Sequence, residues 1–141
     1  MSYSPTIKKE TTTMTATIPP WGYDISTIAQ ELPYNLGNAL RSIWAATPKN
    51  KELDKAIQYL EMEDSRREKA AYYPQSALPT WLTDLIACNN GRGTADPRIG
   101  AIYAVMAAAV MQADPDTYDQ FILNAHREIV RLYEDLNLPR S

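Results

Sequence analysis

Two Asp-Pro pairs, Asp96-Pro97 and Asp114-Pro115, dictate where helices begin in the second half of this chain. In each pair the carboxylate can accept hydrogen bonds from the open amides of a first helical turn. The proline that follows has no amide to leave unsatisfied and a φ already suited to the first helical position. After the first pair, Ile99, Ile102, Tyr103, Met106 and Val110 form one stripe. Ala101, Ala104, Ala107 and Ala108 make the opposite side small and mostly apolar, so this helix must pack on more than one side. After the second pair, Tyr118, Phe121, Ile122, Ala125, Ile129, Leu132 and Leu136 hold helical phase for about five turns, until Leu138-Pro139 stops the pattern. The core has to be built around these two helices.

The same period runs through the first half. Asp24 and Ser26 are candidate caps for a short helix carrying Ile25, Ile28, Ala29 and Leu32, which ends at Pro33. A second helix starts near Tyr34 or Asn35, with the Asn35 side chain as its cap, and buries Leu36, Leu40, Ile43 and Trp44 before Thr47-Pro48. From about Asn50 to Ala71 a third helix buries Leu53, Ala56, Ile57 and Leu60, with Glu63 and Arg67 as an i,i+4 pair on a solvated face. Tyr72 to Ser76 reads as a linker. Leu78, Trp81, Leu82, Leu85 and Ile86 then form a short helix that terminates at the Gly91-Arg92-Gly93-Thr94 loop. Gly37, early in a helix, costs up to about 1 kcal/mol relative to alanine and implies close approach by another backbone or by a ligand. Trp21, Trp44 and Trp81 read as core anchors. No β-hairpin signal and no internal repeat is present. The expected architecture is all-α: a single compact bundle of five or six helices spanning residues 18–141, preceded by a flexible, disordered tail over residues 1–17.

Composition excludes several function classes. A net charge of −3 argues against broad nucleic-acid binding, so contact with a polyanion would have to be local. The most apolar run, Ile99 to Met111, falls short of the roughly 18 residues needed to cross a bilayer. The first 17 residues lack the apolar stretch of a signal peptide. The single cysteine, Cys88, permits no internal disulfide and fits a reducing compartment, so the cytoplasm is the expected location. One histidine, His126, and one cysteine make no zinc site.

The segment from Pro33 to Arg67 stands apart. It runs Asn35-Leu36-Gly37-Asn38-Ala39-Leu40-Arg41 and then, across a Lys-rich turn, Leu53-Asp54-Lys55-Ala56-Ile57-Gln58-Tyr59-Leu60. This block resembles the SaV-like family of small tailed-phage proteins, whose helical segment carries an Asn-Leu-Gly-Asn element followed by a second element of Asp-Leu, Lys-Ala and Tyr-Leu type. The resemblance covers about a quarter of the chain, with Arg41 where the family usually has lysine, Ser42 where an aromatic is common, and Ala45 where an arginine is expected. Because the same domain occurs in a phage nucleotide kinase, the resemblance implies a phage origin, hence the host cell cytosol, and a link to nucleotide metabolism.

From the residues themselves, Arg41, Lys49, Lys51 and Lys55 are the candidate phosphate contacts, and Asn35 and Asn38 could hydrogen-bond a base or sugar. A nucleoside-monophosphate kinase would also need Mg²⁺, for which Glu61 and Asp64 are the nearest carboxylates. The same lysines also fit a plain solvated turn. A small helical domain has little internal cleft, so a nucleotide-binding form could be a homo-oligomer. Two other classes stay open. One is a non-catalytic phage protein that binds and inhibits or redirects a host protein through an exposed helix face. The other is a MazG-like nucleotide pyrophosphohydrolase, suggested by Glu61 and Asp64 three residues apart, although the Glu-x-x-Glu that such enzymes carry on a preceding helix is missing.

Overall fold

The computed structural model describes residues 23–69, 78–89 and 96–138, and these residues contain six helices and no strand. The expected tail over 1–17, Trp21, the 72–76 linker, the 91–94 loop and Pro139 lie outside the described residues. The helices are α1 (Ile25–Ala29), α2 (Tyr34–Ala45), α3 (Glu52–Lys69), α4 (Thr80–Asn89), α5 (Pro97–Val110) and α6 (Pro115–Asp135). The architecture is the expected all-α bundle. No described helix is long and apolar enough to cross a membrane.

Both Asp-Pro starts form as their chemistry requires. Asp96 Oδ1 accepts from the Arg98 amide at 2.9 Å, and Asp114 accepts from the Thr117 amide at 3.4 Å and the Thr117 hydroxyl at 2.9 Å. α5 is the centre of the molecule. Ala101, Ile102, Val105, Met106 and Ala108 are buried on different sides of it, against α6, α2 and α4. Its alanines allow this, since a helix with small side chains admits neighbours from several directions. α6 closes with the amides of Asn137 and Leu138 bonded back to the carbonyls of Glu134 and Tyr133, at 3.1 and 2.9 Å. Asn137 takes φ 57° there, the left-handed position that glycine usually fills in this motif.

The α2–α3 hairpin is fastened by side chains from both sides. Asn50 joins the end of α2 to the start of α3: its Nδ2 donates to Ala45 O at 3.0 Å while its Oδ1 accepts from the amides of Thr47 and Glu52. From α5, Arg98 Nη1 donates to the carbonyls of Ile43 and Trp44 at 2.7 and 3.0 Å in the last turn of α2, where Ile43 O also receives the Ala46 amide at 3.4 Å. Gly37 faces α1: a Cβ there would lie 2.5 Å from the carbonyl oxygen of Ala29. Of the two sequence-based readings, close approach by a neighbouring backbone is the one observed.

Two expectations are corrected. Asn35 does not cap α2, because the N-cap is Pro33, which makes no side-chain bond, and Asn35 sits inside the first turn with its side chain turned into the protein. Glu63 is not on a solvated face. It is 0% exposed and bonds Arg66, because the α3 stripe Leu53, Ala56, Leu60 carries on to position 63.

Candidate functional site

The α2–α3 hairpin presents chemistry at each of its two ends. Near where the helices join, Lys49, Lys51 and Lys55 are exposed, as is Arg41 one turn before the end of α2. Arg41 Nη1 lies 3.4 Å from Asn38 Oδ1, and Lys55 Nζ lies 3.1 Å from Glu52 Oε2. Each contact is made within one helix. Both are surface pairs in water, worth at most about 1 kcal/mol, so a stronger anion could displace them. The first turn of α3 carries its own carboxylates, Glu52 and Asp54, at the end where the helix dipole favours negative charge, and Asn50 Oδ1 already takes the Glu52 amide.

At the other end, a buried polar group ties α2, α3 and α6 together. Glu63 accepts from Asn35 Nδ2 at 3.2 Å and from Arg66 Nε and Nη2 at 3.1 and 2.9 Å. The two-pronged arginine contact is the geometry that best neutralises a carboxylate taken out of water. Beside it the Arg67 guanidinium lies 3.7 Å over the ring of Tyr118, which is 0% exposed. Burial first, and the nearby Glu63 and Asp64 carboxylates second, push the Tyr118 phenol well above its ordinary range. Asp64 also titrates above the usual carboxylate range, because burial outweighs the favourable charge of His126. A further α3–α6 link is the hydrogen bond from the Tyr133 hydroxyl to Asp54 Oδ1, which with burial raises the Tyr133 phenol.

Between these groups and solvent lies an open recess of about 620 Å³, lined by Asn35, Gln58, Glu61, Met62, Ser65, Arg66 and Lys69. All of these except Asn35 come from one exposed ridge of α3.

The candidates read from sequence are therefore divided. Asn38 and Arg41 lie together on the exposed side of α2, Lys49, Lys51 and Lys55 lie in the turn and the start of α3, and Asn35 is buried in the first turn of α2. Glu61 lines the recess, and Asp64 sits among charges contributed by α6, namely His126 and Asp119. No group of three or more acidic, histidine or cysteine side chains suited to a metal ion occurs among the described residues. Trp44 and Trp81 pack on the core as expected, Trp81 with its ring stacked on Tyr23 at 4.5 Å. Sequence reasoning missed the Asn35–Glu63–Arg66 set and the seat of Arg67 over the Tyr118 ring. The signal was present in the α3 stripe, where positions 53, 56, 60 and 63 share a face. No family model, curated protein or solved structure matches the chain.

Proposed function

We propose that this is a phage-derived binding protein of nucleotide metabolism that holds a nucleotide or another phosphorylated ligand on the α2–α3 corner. The observation that carries the reading is a local excess of positive charge: four exposed cations, Arg41 on α2, Lys49 and Lys51 in the turn and Lys55 on α3, outnumber the carboxylates Glu52 and Asp54 of the first turn of α3 in a chain whose net charge is −3. An arginine offers two parallel donors to a phosphate, lysines act as point charges beside it, and Asn38 can exchange its weak Arg41 contact for a base or sugar. The resemblance of this segment to the SaV-like family supports the link to phage nucleotide metabolism. The proposal is confined to binding. Phosphoryl transfer needs a carboxylate-held Mg²⁺ next to the phosphates, and Glu61 and Asp64 lie roughly 9 and 14 Å farther along the axis of α3 than Lys55.

The test is a thermal-shift panel of nucleoside mono-, di- and triphosphates with and without Mg²⁺. A specific ligand at a hundred to a thousand times its dissociation constant stabilises by roughly 3 to 4 kcal/mol. The double variant Lys49→Glu, Lys51→Glu should keep the melting temperature of the unliganded protein and lose the shift. If no nucleotide shifts the wild type, the corner is a solvated turn and the host-protein-binding class takes its place.

A further inference from the structure

Tyr34, the first residue of α2, leaves 75% of its surface in solvent, more than any other aromatic among the described residues. The ring is nonetheless held. It meets Tyr59 of α3 edge-on, with centroids 6.5 Å apart and planes at 79°. The two helices, joined by the short turn 46–51 and bonded again through Asn35 and Glu63, run antiparallel, so the corner lies ahead of Tyr34 on α2 and behind Tyr59 on α3. Asn38 and Arg41 follow Tyr34 by four and seven residues, on the same side of α2 and about 6 and 10 Å nearer the corner. Lys55 precedes Tyr59 by four residues, on the same side of α3 and about 6 Å nearer the corner. The outer groove of the hairpin thus carries an open aromatic ring at one end, Asn38 midway and two exposed cations at the other.

We infer that this groove takes a nucleoside di- or triphosphate, with the base stacked on Tyr34 and the phosphates on Arg41 and Lys55. The inference rests on the reading of the corner as a phosphate site and adds a seat for the base. A tyrosine offers a flat, rigid face at the cost of two torsions, and the Tyr59 contact already restrains them, so little freedom is lost when a base stacks. Asn38, whose Oδ1 accepts from Arg41 at 3.4 Å, stands where the ribose would lie and can turn its amide to a sugar hydroxyl. Two cations beyond Asn38 call for more than one phosphate.

The groove fits one nucleotide rather than a strand of nucleic acid. Toward the corner the next positions on this side are Ala45 on α2 and Glu52 on α3, so no second aromatic follows Tyr34 and Tyr59 to stack another base. Glu52 is held by Lys55 at 3.1 Å in a solvent-exposed pair that a phosphate can replace, and Asp54 is turned to Tyr133 on α6. Stacking tolerates any base, because every base has a π-face, so ATP serves as the probe.

Calorimetric titration of the full chain with ATP, and with tripolyphosphate and adenosine as its two halves, tests the assignment. ATP should bind roughly tenfold or more tighter than tripolyphosphate, the factor that one base–aromatic stack supplies, and adenosine should bind more weakly than either. Tyr34→Ala should weaken ATP by about the same factor, leave tripolyphosphate unchanged and keep the melting temperature of the unliganded protein, since the ring is exposed. Tyr34→Phe and Tyr34→Trp should bind ATP as the wild type does, and Arg41→Gln should weaken ATP and tripolyphosphate together. ATP binding indifferent to Tyr34→Ala, or no tighter than that of tripolyphosphate, would overturn the base seat and leave the phosphate corner standing. A single-stranded tetranucleotide bound more tightly than ATP would overturn it in favour of nucleic acid. If neither ATP nor tripolyphosphate binds, the corner itself fails and the base seat with it.

Discussion

The same substitution, glycine to alanine inside a helix, should have opposite effects at positions 37 and 100. Helix propensity alone favours alanine at both sites by up to about 1 kcal/mol. At Gly37 the new Cβ would stand 2.5 Å from Ala29 O, a backbone atom that can retreat only if α1 moves by most of an ångström. That movement would drag Ile25 and Ile28, both buried, out of register with α2. Overpacking of this kind costs roughly 1 to 3 kcal/mol, or more where backbone must move, so Gly37→Ala should be a net loss of about 1 to 3 kcal/mol. At Gly100 the new Cβ meets the Glu128 side chain at 3.1 to 3.2 Å. This partly exposed carboxyl end can swing away, at the expense of its surface pair with Arg131. Gly100→Ala should therefore lie between neutral and about 1 kcal/mol more stable. Urea unfolding with matched m-values reads both directly, and in a thermal melt each kcal/mol corresponds to roughly 4 °C in a chain of this size. A Gly37→Ala protein as stable as the wild type would show that α1 does not rest on α2 at this point and that the glycine was kept for a ligand.

Arg98→Met keeps the aliphatic stem but removes the donor shared by Ile43 O and Trp44 O; it should destabilise by about 1 to 3 kcal/mol in urea unfolding, with the loss absent in a control at exposed Arg131. The raised phenols of Tyr118 and Tyr133 make alkaline stability a second check. The native state keeps these protons where the unfolded chain, titrating near pH 10, releases them, so their contribution is complete below about pH 10 and declines as pH rises above it. Tyr133→Phe should flatten that decline while costing about 1 kcal/mol at neutral pH through the lost Asp54 bond.

What could be read from sequence divides by the range of the interaction responsible. The Asp96 and Asp114 caps were legible because donor, acceptor and proline lie within three residues of each other. The α5 and α6 stripes were legible because helical phase is a local periodicity. Asn35 misled because its capping propensity is local, whereas the partner that holds it, Glu63, is 28 residues away. Glu63 misled for the converse reason: the i,i+4 rule supplies a surface partner for any charged helical residue, and it competed with the stripe through Leu53, Ala56 and Leu60 that puts position 63 inside. Gly37 was ambiguous in principle, since a backbone and a ligand make the same demand for a missing Cβ. At the corner, the sign of the charge was plain in Arg41, Lys49, Lys51 and Lys55, but their separation from Asn35, Glu61 and Asp64 depends on where each falls along two helices.

Glu63 accounts for how both ends of the hairpin come to be presented. A carboxylate with no exposure is costly to bury, and its two-pronged contact with Arg66 and its bond to Asn35 offset that cost only in one arrangement. An apolar residue at position 63 would tolerate a helix that slid or rotated by part of a turn. The Glu63 network does not, because its bonds need Asn35 on α2 at a fixed height and Arg66 one turn ahead on the same side. With position 63 held inward, the 100° step of the helix sends Glu61, Met62 and Ser65 outward. The same rotation fixes the Asp54 bond to Tyr133 on the α6 side and leaves Lys55 exposed at the corner. A single buried charge thus sets the rotation of α3, and with it which of its side chains meet solvent.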